Sequence, residues 1–217
     1  MLHHFLQKLQ EDNLASTSVV ILVPSWRTWE SCDMLRLLMS CTLAAMTVVG
    51  FGEHPMNLPT PHYERKPNDP AWLAYSTQFH GHLGPWATAG LRVGMAGRRA
   101  VAADGYFDID VTVSGPFAKP PKSCFLDGLQ VATGATWGKR NIRWNTQEKI
   151  VVQIKNTRSG ELVEIRPTAK LMELVTSFKP DSSAKSRDDR ALGAIARKIA
   201  GLPESQVLEL RRFPGGR

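Results

Sequence analysis

Gly90, Gly94 and Gly97 recur three or four residues apart inside Ala87–Ala103, a stretch that otherwise reads as a helix of small residues. Each glycine in a helix interior costs about 1 kcal/mol relative to alanine. A chain that keeps three on one face needs a partner packed closely along that face to offset the cost. This segment therefore predicts a helix pressed tightly against a neighbour. The remaining patterns supply what surrounds it. Gly105–Val113 alternates, with Phe107, Ile109, Val111 and Val113 on one face and Asp108, Asp110 and Thr112 on the other. That is a half-buried strand. Lys149–Asn156 alternates through Ile150, Val152 and Ile154, and Asn156–Gly160 reads as a hairpin loop into a return strand over Glu161–Arg166. Helices are predicted over 70–79, with Asp69 as cap and Pro70 in the first turn, and over Ser123–Ala132, 168–177, 187–200 and 203–210. Strands and helices mix without a regular βαβ alternation. The fold class is α+β, a small mixed or antiparallel sheet packed with helices.

The 217 residues are 42% hydrophobic, enough for a real core. Residues 70–213 read as the single core domain. Residues 56–69 are a Pro-rich linker, and residues 1–55 a non-domain leader. Within the leader, Leu37–Gly52 is a run of sixteen uncharged, mostly apolar residues. It is short for a membrane span, which wants about 20. Two readings remain. The run is the core of a signal for export, or the upstream residues belong to an over-extended start and the protein is cytoplasmic. The leader holds three Lys/Arg against five Asp/Glu, so the rest of the chain carries +9 and the whole carries +7. A basic surface favours anionic partners. Neither aromatic-and-basic repeats nor zinc-finger spacing accompany the charge, so no nucleic-acid partner is expected. Of Cys32, Cys41 and Cys124, the last alone lies in the core domain, which excludes a disulfide framework there.

Two stretches carry the chemistry. In the first, His80 and His82 flank Gly81 at a predicted helix end. Two imidazoles at that spacing can converge on one ion where the backbone is extended, or can instead cap the helix carbonyls. In the second, Cys124 opens a predicted helix behind Lys122. A helix N-terminus and a nearby ammonium both favour thiolate, so the sulfur suits a metal ligand or a nucleophile. The bland alternative is a packed cysteine. Asp127, one turn on, can ligate a metal or orient a histidine. The run Gly134-Ala135-Thr136-Trp137-Gly138-Lys139 fails as a phosphate loop. Three residues separate its glycines where four are needed, and Arg140 follows the lysine. Its backbone N–H groups, with Lys139 and Arg140, remain candidates for a carboxylate or phosphate.

The order His80-Gly81-His82-Leu83-x-Pro85, a Gly-rich helix, a strand, Cys124-x-x-Asp127-x-x-Gln130, then Thr133-Gly134-x-Thr136-x-Gly138-Lys139-x-Asn141 and a hairpin resembles the formylmethanofuran dehydrogenase E-subunit-like family. The resemblance runs from about Trp72 to Val175. It implies an α+β homodimer with a cleft lined by His80, His82, Cys124, Asp127 and Gln130. It further implies His80, His82 and Cys124 as ligands of a divalent transition metal, zinc by donor type, with Cys124 and Asp127 the catalytic candidates. Gln130, Thr133, Gly134, Thr136, Gly138, Lys139 and Asn141 would bind substrate, a small anion or one-carbon compound. The implied role is an accessory or orphan enzyme of one-carbon or molybdopterin-linked metabolism. Gly84 and Ala135 depart from the pattern, because the family usually has cysteine at both positions. That loss motivates a second expectation, a non-catalytic binding module with a degenerate site for a small anion or an acidic protein.

Overall fold

The computed structural model describes residues 58–179 and 188–214; the leader 1–55 and most of the polar loop Pro180–Asp189 lie outside the described residues. The elements run α1 (Ala71–His80), α2 (Pro85–Ala100), β1 (Ile109–Gly115), α3 (Cys124–Thr133), β2 (Ile142–Thr146), β3 (Val151–Asn156), β4 (Leu162–Pro167), α4 (Ala169–Thr176), α5 (Asp189–Gly201), α6 (Glu204–Val207) and β5 (Leu208–Phe213). The strands form one mixed sheet in the order β2-β1-β3-β4-β5. β1 and β2 are parallel and every other pair is antiparallel. Parallel neighbours need a crossover, and α3 supplies it. The class is α+β. Among the described residues, no helix is long and apolar enough to cross a membrane.

Ile109, Val111, Val113, Val152, Ile154, Val163 and Ile165 point from the sheet into the helical layer and are fully buried. Each such side chain contributes about 1.5–3 kcal/mol of transfer free energy. On the helical side the close partner demanded by the glycines is α3. A Cβ on Gly90 would lie 2.0 Å from the carbonyl oxygen of Phe125, and one on Gly128 would lie 2.0 Å from that of Ala87. The two backbones touch at both points, and only glycine permits it. Gly94 faces Ala132 of α3, while Gly97 faces Ile154 of the sheet. One face of α2 thus serves both layers.

Four expectations are corrected. The first strand begins at Ile109 rather than Gly105. Gly105 and Tyr106 take positive φ values of 97° and 60°, and the Asp108 carboxylate accepts the N–H of Asp104, so the chain turns before the strand starts. Phe107, placed inside by the alternation, is 82% exposed. Asp69 does not cap α1. Its carboxylate accepts from the Arg197 guanidinium, from the Tyr63 hydroxyl and from the Lys66 N–H. The helix expected over 203–210 is one short turn, because Leu208–Phe213 pairs along β4 instead. β2 has no counterpart among the sequence expectations. It is a five-residue edge strand, and its pairing with β1 is set by tertiary contact.

The interhelical contact yields a stability test. Gly90→Ala and Gly128→Ala should each lower unfolding free energy by about 2 kcal/mol or more, because the clash with fixed backbone outweighs the helix-propensity gain. Urea denaturation reads this directly. A stabilisation of either variant would contradict the contact.

Candidate functional site

α1 ends at His80 because Gly81 takes the left-handed conformation, φ 89°, and returns its N–H to the carbonyl of Thr77. The chain then doubles back. His82 forms an isolated bridge with His62, whose N–H donates to the carbonyl of Gly81 at 2.7 Å. Gly84 and Pro85 start α2 immediately afterwards. The His80 and His82 rings lie with centroids 4.5 Å apart, tilted by 38°. Gly84 sits beneath them. A Cβ there would be 3.0 Å from Nε2 of His82 and 3.4 Å from Nε2 of His80. Both Nε2 atoms therefore face one small volume.

Across from the histidines, Cys124 occupies the first position of α3 and Asp127 its first turn. His80 Nδ1 donates to Asp127 Oδ2 at 2.6 Å. The imidazole is 7% exposed and the carboxylate 35%. That bond fixes the ring and turns Nε2 away from the carboxylate. Nε2 is buried and has no hydrogen-bond partner among the described residues. Burial of the ring disfavours its charge, but the Asp127 hydrogen bond and the nearby Cys124 sulfur outweigh it, so the His80 pKa is pushed up to about 9.

His80, His82 and Cys124 line a cleft of about 380 Å³, and Asp127 stands behind His80 outside that lining. His80, His82 and Cys124 are its polar members, and Trp86, Pro121, Val175, Phe178 and Leu192 are among its apolar walls. The donor chemistry fits a metal in three respects: two imidazoles, a sulfur, and a carboxylate holding one imidazole from behind. As the side chains stand, no three His, Cys, Asp or Glu among the described residues are grouped closely enough to hold an ion. Both Nε2 atoms face Gly84, and a third donor would have to turn in for an ion to be held there.

The other candidates lie elsewhere. Gln130 is buried on α3 and does not line the cleft. The loop Thr133–Asn141 leaves the far end of that helix, about 14 Å from Cys124 by helical rise. Its polar groups are committed internally. Gly134 N–H donates to the Gln130 carbonyl, Ala135 N–H to Thr133 Oγ1, Thr136 N–H to Asn141 Oδ1 and Lys139 N–H to Thr136 Oγ1. Asn141 also donates to the carbonyls of Tyr106 and Ile109, and the Lys139 ammonium lies 5.8 Å from the centre of the Phe107 ring. The side chains and backbone together stitch the loop to the turn before β1. Gly138 is open to solvent around its Cα. Conversely, Trp86, Pro120, Pro121 and Phe178 line the cleft, although the sequence reading passes over them. Trp86 follows Pro85 directly, and the Pro120–Pro121 pair precedes Cys124. Both are within reach of a reading that looks beside the polar residues.

Comparison with known proteins agrees with the motif order. The family described as "FmdE, Molybdenum formylmethanofuran dehydrogenase operon" matches residues 79–209. No curated protein matches the chain in sequence. Among solved structures, the chain is similar to a tungsten formylmethanofuran dehydrogenase FmdE-like protein from Syntrophus aciditrophicus. The two share 17% identity over 66% of this chain and 70% of that one, with a TM-score of 0.43.

The His80 environment predicts a pH dependence. A folded pKa of about 9, above the ordinary value of 6.5, stabilises the fold fully below pH 6.5. That contribution fades as pH rises through about 9. Chelator-treated protein should therefore lose melting temperature over this window. Asp127→Asn should flatten the loss and move the His80 ring titration, followed by NMR, down toward 6.5.

Proposed function

The chain belongs to the FmdE family, and from that premise we propose that its cleft is a metal-dependent small-molecule site. His80 and His82 bind the ion through Nε2, Cys124 binds it through sulfur, and Asp127 holds the His80 ring in the ligating orientation. Two imidazoles and a thiolate suit zinc and leave a fourth position toward the cleft. A metal there would supply a Lewis acid and an acidified bound water. The residues themselves do the rest. Trp86, Val175, Phe178 and Leu192 exclude bulk water and shape the cleft for a small, largely apolar molecule. The family description places its members with the operon of a formylmethanofuran dehydrogenase. The substrate is accordingly a one-carbon compound or its carrier, with this chain as an accessory enzyme.

One observation carries this reading. A buried imidazole nitrogen without a partner is costly, because burial removes its water. His80 Nε2 is such an atom among the described residues, and it is aimed at the space that His82 Nε2 also faces. A bound ion would satisfy it, with His82 Nε2 as the second donor.

A second reading rests on the effect of the Cys124 sulfur on His80. Cys124, His80 and Asp127 then act as nucleophile, proton holder and positioning residue. The thiolate would add to a carbonyl carbon of the substrate, the C=O π pair passing to the oxygen, while His80 keeps the thiol proton.

Zinc titration of chelator-treated protein tests the first reading. One ion per chain should bind and raise the melting temperature. His82→Ala and Cys124→Ala should abolish or sharply weaken uptake, and Asp127→Ala should weaken it about 10–100-fold. Absence of zinc binding, together with rapid alkylation of Cys124 that slows in Asp127→Asn, would transfer support to the second reading. Ligand binding unchanged in all three variants would favour a non-catalytic module instead.

A further inference from the structure

α1 turns polar residues inward and aromatic ones outward. Leu73, Ser76 and Thr77 are buried, while Tyr75 and Phe79 are exposed. Beyond the far end of α3, Tyr106, Phe107 and Trp137 are exposed as well. From one aromatic group to the other runs a half-buried stripe of α3, made of Cys124, Asp127 and Val131 at spacings of three and four residues. We propose that this face pairs with the same face of a second copy of the chain, the two α3 helices lying antiparallel about a two-fold axis. The pairing stands by itself, and its consequence for the cleft rests on the function proposed above.

Hydrogen bonds fix both ends of the face. His80 joins the last turn of α1 to Asp127 in the first turn of α3, which sets Phe79 and Tyr75 at that end. At the other end the Tyr106 N–H donates to the Thr133 carbonyl at 3.0 Å. The Tyr106 ring bounds the space where a Cβ on Gly134 would lie. Trp137 belongs to the loop that Asn141 ties to Tyr106 and Ile109, and the Lys139 ammonium of that loop lies over the Phe107 ring. The stripe is about 15 Å long, the rise of a ten-residue helix. A two-fold axis through its middle exchanges its ends. Phe79 and Tyr75 of one copy then meet Tyr106 and Trp137 of the other.

Area and charge name the occupant. The five aromatic side chains are 49% to 82% exposed. At about 200 Å² for each, they offer about 650 Å² per copy, close to the ~800 Å² per partner of a stable interface. Exposed apolar area of that size is unusual on a monomer. None of the five is charged, and α1 holds no Lys, Arg, Asp or Glu. Two copies whose residues after the leader each carry +9 therefore meet without like charges along the helices. The charges at the two ends are opposite. Asp127 is 35% exposed at one end. Lys139 stands at the other, its ammonium without a hydrogen bond or ion pair among the described residues. Antiparallel pairing sets each Lys139 beside the Asp127 of the other copy, whereas parallel pairing sets like beside like. The loop Thr133–Asn141, far from the cleft of its own chain, then lies beside the cleft of the second copy. There it shields from water the carboxylate that holds His80.

Sedimentation velocity of the full chain should give a dimer. Phe79→Glu and Trp137→Glu alter opposite ends of the face, and each should weaken dimerisation by about tenfold or more. Far-UV circular dichroism and melting close to wild type verify their fold. Cross-linking reads the antiparallel order. Chains carrying Phe79→Cys, mixed with chains carrying Trp137→Cys and treated with a short bismaleimide, should be joined from position 79 to position 137, as peptide mass spectrometry reads. A monomer, or a dimer indifferent to both glutamate substitutions, overturns the face. Linkage of 79 to 79 or of 137 to 137, or none between the two positions, overturns the antiparallel order. A dimer that takes up no zinc leaves this inference standing while the metal reading fails, and a zinc-binding monomer does the opposite.

Discussion

The site exists because two helices touch backbone to backbone. At Gly90 and Gly128 the carbonyl of the opposing helix occupies the space where a side chain would be. The contact is reciprocal, Gly90 against Phe125 and Gly128 against Ala87, so it fixes the sliding register of α2 and α3 as well as their distance. Gly84 caps the start of α2 beneath the two imidazoles, and Cys124 and Asp127 lie at the start of α3. A shift of one turn, about 5.4 Å, would separate Asp127 from His80 altogether. The helix-propensity cost of the glycines is offset by burial of Phe125, Leu91 and Leu129 between the layers. The same three-residue pattern that weakens α2 in isolation positions the chemistry in the folded protein.

α1 is held at its other end by a separate device. The Asp69 carboxylate, 4% exposed, meets the Arg197 guanidinium at 2.7 Å and joins the start of α1 to α5. The Arg197 hydrogen bond holds Asp69 well below the usual carboxylate range even though burial works the other way. Burial and the same carboxylate push the Tyr63 hydroxyl up to about 12. Leu73, Leu83 and Ala196 form a small core beside this cluster. His80 therefore ends a helix anchored at its base, and the ring needs only one further bond, to Asp127, to be fixed in orientation. A charged pair buried this way adds little net stability on average, but removing either partner alone is costly. Its contribution here is geometric.

Much of this is legible in the chain. The glycine spacing announces a close helix partner, and the alternation of Ile150, Val152 and Ile154 with the Asn156–Gly160 loop announces the hairpin. Both signals are local, and both are periodic. The gathering of His80, His82, Cys124 and Asp127 is legible through motif order, since no local rule brings residue 80 to residue 127. What escapes a sequence reading depends on contacts between distant segments. Leu208–Phe213 continues a helical pattern from Pro203, and the free edge of β4 overrides it. Ile142–Thr146 is too short to show a period and becomes a strand because β1 offers it a parallel partner. Phe107 matches the strand alternation, but Gly105 and Tyr106 commit those residues to a turn. For the loop Thr133–Asn141, a run of polar and glycine residues suggests ligand binding. In the structure Thr136, Lys139 and Asn141 close the loop on itself, and Asn141 ties it to Tyr106 and Ile109.

The two missing cysteines do not have equal weight. Ala135 is fully buried in the main core, beyond the end of α3, and is not among the residues lining the cleft. A thiol replaced there costs the cleft no donor. Gly84 is the opposite case. Its Cα lies under both imidazoles, and any side chain would meet His82 Nε2 at 3.0 Å. With glycine, the two rings close over the position that a thiol would otherwise share. The pocket exchanges a soft, charge-neutralising sulfur for closer approach of two neutral-capable nitrogens. Cys124 is then the single thiol lining the cleft among the described residues. Asp127 strengthens the hold of His80 on its proton, which an ion binding through Nε2 would have to displace.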